Sequence, residues 1–456
     1  MNSLPLTAGP LPAHYLLHVG SWFDGTAFHP GAAWIEIEAG RVARLADLDD
    51  PTDPAAQLPR LDLTALSLLP ALIDAHVHCY FCPWPLNPDR RATPGQLSFE
   101  AEVARGLEHI EEMRMAGLAA ARDMGDPKLY NNAIRAALRE RNSTFTLQSG
   151  GQGLFMPGRY GRFLGSATDP ADLAREVDRL AQVEKVDFIK LVPTGIINFN
   201  KGAVSAPPSY STAEIRLVVE RAHGHGLKVA AHCSGEAGLD RCIAGGVDFI
   251  EHAYFATRDH LVKMRDAGLH WTPTLIPVHV QCTHATLCGW NAHTEDNLRR
   301  ILDDHYARLQ LAGEIGLSVL AGSDAGGVGV GHGGGIIEEL LLFHRVYDPE
   351  HVLRIATAQT YAALGLSDGG AVAAGRRAQF VLYDRAPALD LNQLRHPRWI
   401  LDANGIFEAA PPRTSDDPDA ANFGLDAAVD LAPTPAAHPA HSVHAAHSAD
   451  TPAAGA

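Results

Sequence analysis

The chain's 456 residues, 46% of them apolar, can bury a large core, which excludes a small disulfide-stapled scaffold and allows one large barrel plus a smaller module, or two to three ordinary domains. A formal charge of −16 argues against a nucleic-acid surface, which needs clustered Lys and Arg. Part of that charge sits in residues 409 to 456, where six Asp face one Arg, so the folded body is only mildly acidic.

The N-terminal stretch MNSLPLTAGPLPAHYLL has no basic segment leading into an apolar one, so no secretory signal is visible. No run approaches the roughly 20 apolar residues of a membrane span. Six Cys in so long a chain do not look like a disulfide framework, and a reducing, cytoplasmic location is expected. Residues 14 to 62 contain HYLLHVG, AAWIEIEAG and RVARLADL, separated by Gly, Pro and Asp turn signals. They read as strands of a small sheet, making 1–65 the N-terminal part of a β-sandwich.

From Leu68 the texture changes to apolar strand-length runs alternating with helical stretches. IDAHVH precedes a helix over about 98–116, GLAAARDMG one over 127–140, TFTLQSG one over 169–183, and DFIKLV one over 211–225. LKVAAHC, VDFIEH, LHWTPTL and SVLAGSD follow, with helices over about 236–244, 257–267, 294–315 and 334–346. Near-continuously apolar strands are expected when both faces of a parallel sheet are buried, and eight βα units close a barrel. The expected fold is α/β: a (β/α)8 TIM barrel over 66–365, with a small β-sandwich domain built from the N- and C-terminal segments. Its second part is 366–408, where GGAVAAGRRAQFVLYDRAP and WILDANGIF return to strand patterning.

Residues 409–456, rich in Ala, Pro, Asp, Ser and His, read as a disordered tail. His438, His441, His444 and His447 recur there every third residue, and an incidental tract explains them better than a metal site. Cys79 and Cys82 form a C-x-x-C without a second pair, and read as small apolar residues of the first barrel loop.

Six metal-capable side chains end these strands: His76 and His78, Lys190, His232, His252 and Asp324. Side chains on a strand repeat every two residues, so His76 and His78 point the same way and reach one ion. The 20 positions from His232 to His252 leave room for one short βα step, which puts the two on neighbouring strands. A (β/α)8 barrel gathers strand ends on its C-terminal face, the one arrangement in which residues this far apart share a centre. Lys190, between Ile189 and Leu191, should be buried and needs a partner. It either pairs with an acid or is carboxylated to a carbamate able to bridge two ions; with no other Asp or Glu visible on the rim, the carbamate is favoured.

LLPALIDAHVH, AGLAAARDMGD, DFIKLVPTG, AAHCSG, AGGVDFIEH, VLAGSDAG, the HGG at His332 with its EEL, and ATAQTYAALGL leading into GAVAAGRRAQFVLYD together resemble the amidohydrolase superfamily over about 14–405. The Lys in an IKLVPTG context is similar to the branch related to imidazolonepropionase and to Xaa-Pro and Xaa-Arg dipeptidases. The resemblance implies two divalent ions, Zn2+ by expectation. His76, His78 and Asp324 hold the buried one, carboxylated Lys190 bridges, and His232 and His252 hold the other. It implies hydrolysis of an amide-type bond in a small molecule such as a dipeptide, N-acyl amino acid or cyclic amide, through a metal-bridging hydroxide with Asp324 as general acid and base.

Tyr254, His332 and Gln152 are candidates for substrate contact. Gln152 stands in SGGQG where such proteins often carry His, and Ala71 and Gln379 also depart from the family pattern. Two rival readings are a mononuclear deaminase, which would keep a Glu acid between the strand-five and strand-six ligands, where Glu236 lies in the following helix, and would lack a strand-four Lys, and a barrel that binds metal without turnover. The sequence leaves a homo-oligomer open.

Overall fold

The computed structural model describes residues 3–47, 53–82, 85–90 and 97–413. Most of the Ala-, Pro- and His-rich tail, with His438, His441, His444 and His447, lies outside them.

The chain's two ends build one nine-stranded sheet. Its main path runs Gly405–Glu408, Pro397–Asp402, Phe380–Tyr383, Arg60–Pro70, His14–Phe23, Ala33–Glu38 and Arg41–Ala46. Alternate residues such as Ile35 and Ile37, Leu61 and Leu63, and Phe380 and Leu382 point into one apolar cluster. That period of two is what a sheet with one face covered demands. The C-terminal return is made by Phe380–Tyr383, antiparallel to Arg60–Pro70 with Phe380 opposite Pro70. Because Arg60–Pro70 runs straight on through Ala71, the same stretch of chain anchors the sheet and delivers the first barrel strand.

The barrel strands are β1 (Leu72–Val77), β2 (Leu118–Asp123), β3 (Thr146–Ser149), β4 (Ile189–Val192), β5 (Val229–Cys233), β6 (Phe249–His252), β7 (His270–Thr272) and β8 (Ser318–Val319). Neighbours pair in parallel from β1 to β3 and from β4 to β8. Two seams complete the circle. Asp187 N–H donates to Ser149 O at 2.9 Å between β3 and β4. Ala75 N–H donates to Ala321 O at 2.7 Å and Asp324 N–H to His76 O at 2.7 Å, joining β8 to β1. Closure brings residue 76 beside residue 324.

Helices flank the strands: Phe99–Met115, Tyr130–Glu140, Leu173–Gln182, Thr212–Gly224, Glu236–Gly245, Arg258–Asp266, Ala292–Ile315 and Gly334–Phe343. Several begin on polar caps, such as Ser98 and the Ser211–Glu214 capping box. Between β3 and β4 the chain adds two short parallel strands, Gly153–Phe155 and Gly165–Ala167, the first paired to Leu191 and Val192. A Cβ on Gly165 would stand 2.0 Å from Gly153 O, so only glycine permits that approach. The arm between these strands carries Tyr160 and Phe163 over the barrel mouth.

Candidate metal centre and active site

At the C-terminal rim a pocket of about 120 Å3 is lined by His76, His78, Lys190, His232, His252 and Asp324 together. The His76 and His78 rings are 5.6 Å apart, His76 and His252 4.9 Å, and His232 and His252 4.6 Å, centre to centre. Asp324 Oδ1 lies 3.3 Å from His76 Nε2 and 3.4 Å from His78 Nε2, and these three residues offer ligand atoms all within 4.8 Å. Asp324 is held in the left-handed region at φ 60°, as is His252 at φ 70°. Backbone strain of this kind persists where surrounding contacts over-determine a functional geometry.

Each imidazole is engaged by protein on one ring nitrogen. His76 Nδ1 meets Glu251 Oε2 at 2.8 Å, His252 Nδ1 meets Thr274 Oγ1 at 2.7 Å, His78 Nδ1 meets Gly125 O at 3.3 Å, and His232 Nε2 meets Gly195 O at 3.4 Å. A carbonyl or carboxylate partner draws the proton to that nitrogen, as does Thr274 Oγ1, whose own proton goes to Pro273 O, and in each case the other lone pair is left for the cavity, the arrangement that orients metal-ligating histidines. The donor set therefore fits a divalent ion. Burial, and then the neighbouring Lys190 charge, press the His232 imidazole down to about 3, so it is neutral at physiological pH.

Lys190 is fully enclosed, and burial lowers its amine to about 8 against the opposing pull of Glu251 and Asp324. Asp324 itself is held well below the usual carboxylate range: burial works the other way, but His76, His78 and His252 outweigh it. Asp74, also buried, accepts from Ser323 Oγ at 2.5 Å and from His76 N at 3.1 Å, lacing β1 to the end of β8.

Glu251 corrects the expectation that no other acid stands near the rim. It is fully buried, with Oε1 accepting from Arg122 Nη2 at 2.7 Å and Oε2 facing His76. Burial would raise its pKa, yet Arg122 and His76 hold it at about 2. Glu251, Arg122, Thr274 and Tyr160 escape the sequence reading; a Glu in FIEH and an Arg in LAAARD are the signals available, each a charge inside an apolar strand. Tyr160 lines the cavity with its ring 5.2 Å from His232.

The three substrate candidates divide. Tyr254 lines the cavity, its hydroxyl donating to Thr274 O at 2.8 Å. Gln152 does not, since its amide donates to Pro127 O and accepts from Arg179, both at 2.7 Å. Nor does His332, which sits behind the rim with Nε2 3.2 Å from His78 O, its ring stacked on His109. In both cases hydrogen bonds to other groups hold the side chain away from the cavity. Glu236, weighed for the deaminase reading, is exposed and outside the lining. Cys79 is buried and Cys82 half-buried, both unbridged. No helix among the described residues is long and apolar enough to cross a membrane.

Uncharacterised proteins of Mycobacterium bovis (strain ATCC BAA-935 / AF2122/97) and Mycobacterium tuberculosis (strain ATCC 25618 / H37Rv) are each 27% identical over 281 residues, 61% of this chain and 69% of theirs. Among solved structures, a Xaa-Pro dipeptidase with methionine bound in its active site superposes with TM-score 0.74 at 21% identity, covering 87% of this chain and 100% of that one. Aspergillus niger ochratoxinase gives 0.72 at 18%, covering 87% and 96%. At such identities the superpositions speak for the fold. A family model described as the amidohydrolase family matches residues 67–415, and the chain therefore belongs to that family of hydrolytic enzymes acting on C–N bonds.

Proposed function

We propose that this protein hydrolyses an amide-type C–N bond of a small apolar substrate, an N-acyl amino acid, a dipeptide or a cyclic amide, at a binuclear divalent-metal centre. The supporting observation is the convergence of four imidazoles, each tied at its far nitrogen, with Asp324 and Lys190 on one cavity. His76, His78 and Asp324 would hold one ion, His232 and His252 the other, and Lys190, carboxylated, would span them. Pairing with an acid is the weaker account of Lys190, because among the described residues neither Glu251, engaged by Arg122 and His76, nor Asp324, facing His76 and His78, makes an ion pair with it. Such a centre, probed first with Zn2+, would supply a nucleophilic water near neutral pH and polarise the scissile carbonyl.

The chain's own residues do the rest. Asp324, ionised and on the rim, receives the proton from the attacking water and returns it to the leaving nitrogen. Glu251 keeps His76 in one tautomer and Thr274 does the same for His252. Phe81, Phe163, Ile196, Phe199 and Val328 wall the pocket, giving an apolar acyl or aromatic group a surface to leave water against. A hydrolysis screen over dipeptides, N-acyl amino acids and lactams, with metal-replete and chelator-stripped protein side by side, tests this. Metal-dependent release of amine from members with bulky apolar groups is the expected result. No turnover of any amide by protein carrying two ions would overturn it.

A further inference from the structure

Behind the rim lies a second cluster. His109 and Glu112 stand three residues apart on Phe99–Met115 and so share one face of that helix. His332 reaches them from the loop after β8, which presses close: a Cβ on Gly333 would lie 2.9 Å from Ala116 Cβ and 3.2 Å from Glu112 O. One ligand atom from each of His109, Glu112 and His332 lies within 4.8 Å of the others.

The hydrogen bonds of this cluster settle the tautomers. His109 Nδ1 is 2.7 Å from Cys79 O, and His332 Nε2 is 3.2 Å from His78 O. A carbonyl only accepts, so each of those nitrogens carries its proton, and the lone pairs are left on His109 Nε2 and His332 Nδ1. His332 Nδ1 is buried without a hydrogen-bond partner, in a residue 3% exposed. A buried acceptor left unsatisfied is unfavourable, and a ligand that uses it removes the cost. The rings stack at 4.1 Å with their planes 12° apart, so one of them has to tilt for both lone pairs to meet a single ion, and Glu112, exposed to solvent, is free to follow it.

We propose that His109, Glu112 and His332 form a separate metal site, outside the rim centre, for a divalent ion of the Zn2+ class. Two neutral imidazoles and one carboxylate, with bonds of about 2.0–2.2 Å and water in the fourth position, make a set that suits such an ion. Both imidazoles are braced by backbone carbonyls in the manner of metal-ligating histidines. Those carbonyls belong to His78, itself a rim residue, and to Cys79, so the ion pins the loop leaving β1 against the helix that follows it.

The test uses the full chain, stripped by chelator and titrated with Zn2+ alone, with stoichiometry read by elemental analysis. Glu112 is exposed, so Glu112→Gln should keep the fold, checked by circular dichroism. It is expected to bind one ion fewer than the wild type, or that ion about 10–100-fold more weakly. Lys190→Ala, which disturbs only the rim, should keep an ion that the Lys190→Ala, Glu112→Gln double variant lacks. Equal stoichiometry and affinity between Glu112→Gln and wild type, or between the double variant and Lys190→Ala, would overturn the site, whatever the hydrolysis screen shows.

Discussion

Lys190 shows how one residue can carry a chemical argument. An ammonium among Ile189, Leu191 and Val192 has lost its water, and burial takes its amine to about 8, which raises the share of the neutral form that reacts with carbon dioxide. Lys190→Ala should abolish activity and lower metal content, with partial return on adding short carboxylic acids that restore two oxygens to the gap. Near-normal turnover of that variant in a coupled assay would remove the bridging role. Asp324→Asn is the complementary case, since the amide can still coordinate through oxygen but cannot carry the proton. It should keep its metal by elemental analysis and lose about 10²–10⁴-fold in kcat. These residues are legible in the chain because each is a polar group at the end of an apolar strand, where burial alone gives no reason for it.

Among the elements, the Glu251 network ties three strands. His76 belongs to β1, Arg122 to β2 and Glu251 to β6, and all three are buried. Removing the charge in Glu251→Gln strips Arg122 of its counterion inside the barrel, and breaking such pairs costs about 3–5 kcal/mol. The same change releases the His76 tautomer, so metal affinity should fall about 10–100-fold. Thermal unfolding of stripped protein, set against Zn2+ titration, separates the two effects; a variant unchanged in both would show the network to be idle. The two-residue repeat of an extended strand would put Glu251, next to His252, on the opposite face. At φ 70°, however, His252 turns the chain out of the strand, so that consecutive residues both serve one centre. Period arguments hold only while the strand continues, and at a barrel rim it has just ended. The arm carrying Tyr160 escapes for a related reason, as its three-residue strands are too short for any periodicity to register.

Across the whole molecule, buried histidines make stability depend on acid. His305 packs face to face on Tyr254 with Nε2 3.0 Å from Pro273 O, and burial lowers its imidazole from 6.5 to about 4. Between those two values the unfolded chain binds the proton and the folded one does not. Its contribution is therefore fully present above pH 6.5 and is lost as pH falls toward 4. His305→Gln should flatten the fall of Tm over that window relative to wild type; parallel curves would remove His305 from the account. Strand count, the order of βα units, the return of the C-terminal strands and the six rim residues are all determined by local pattern: apolar runs of strand length, turn residues between them, and polar groups where burial forbids them. Which nitrogen of each histidine faces the cavity, that Glu251 rather than solvent holds His76, and that Gln152 and His332 are held away from the pocket are decided only by tertiary structure. Those facts depend on hydrogen bonds between residues up to 254 positions apart, as between His78 and His332, and no window along the chain contains both partners.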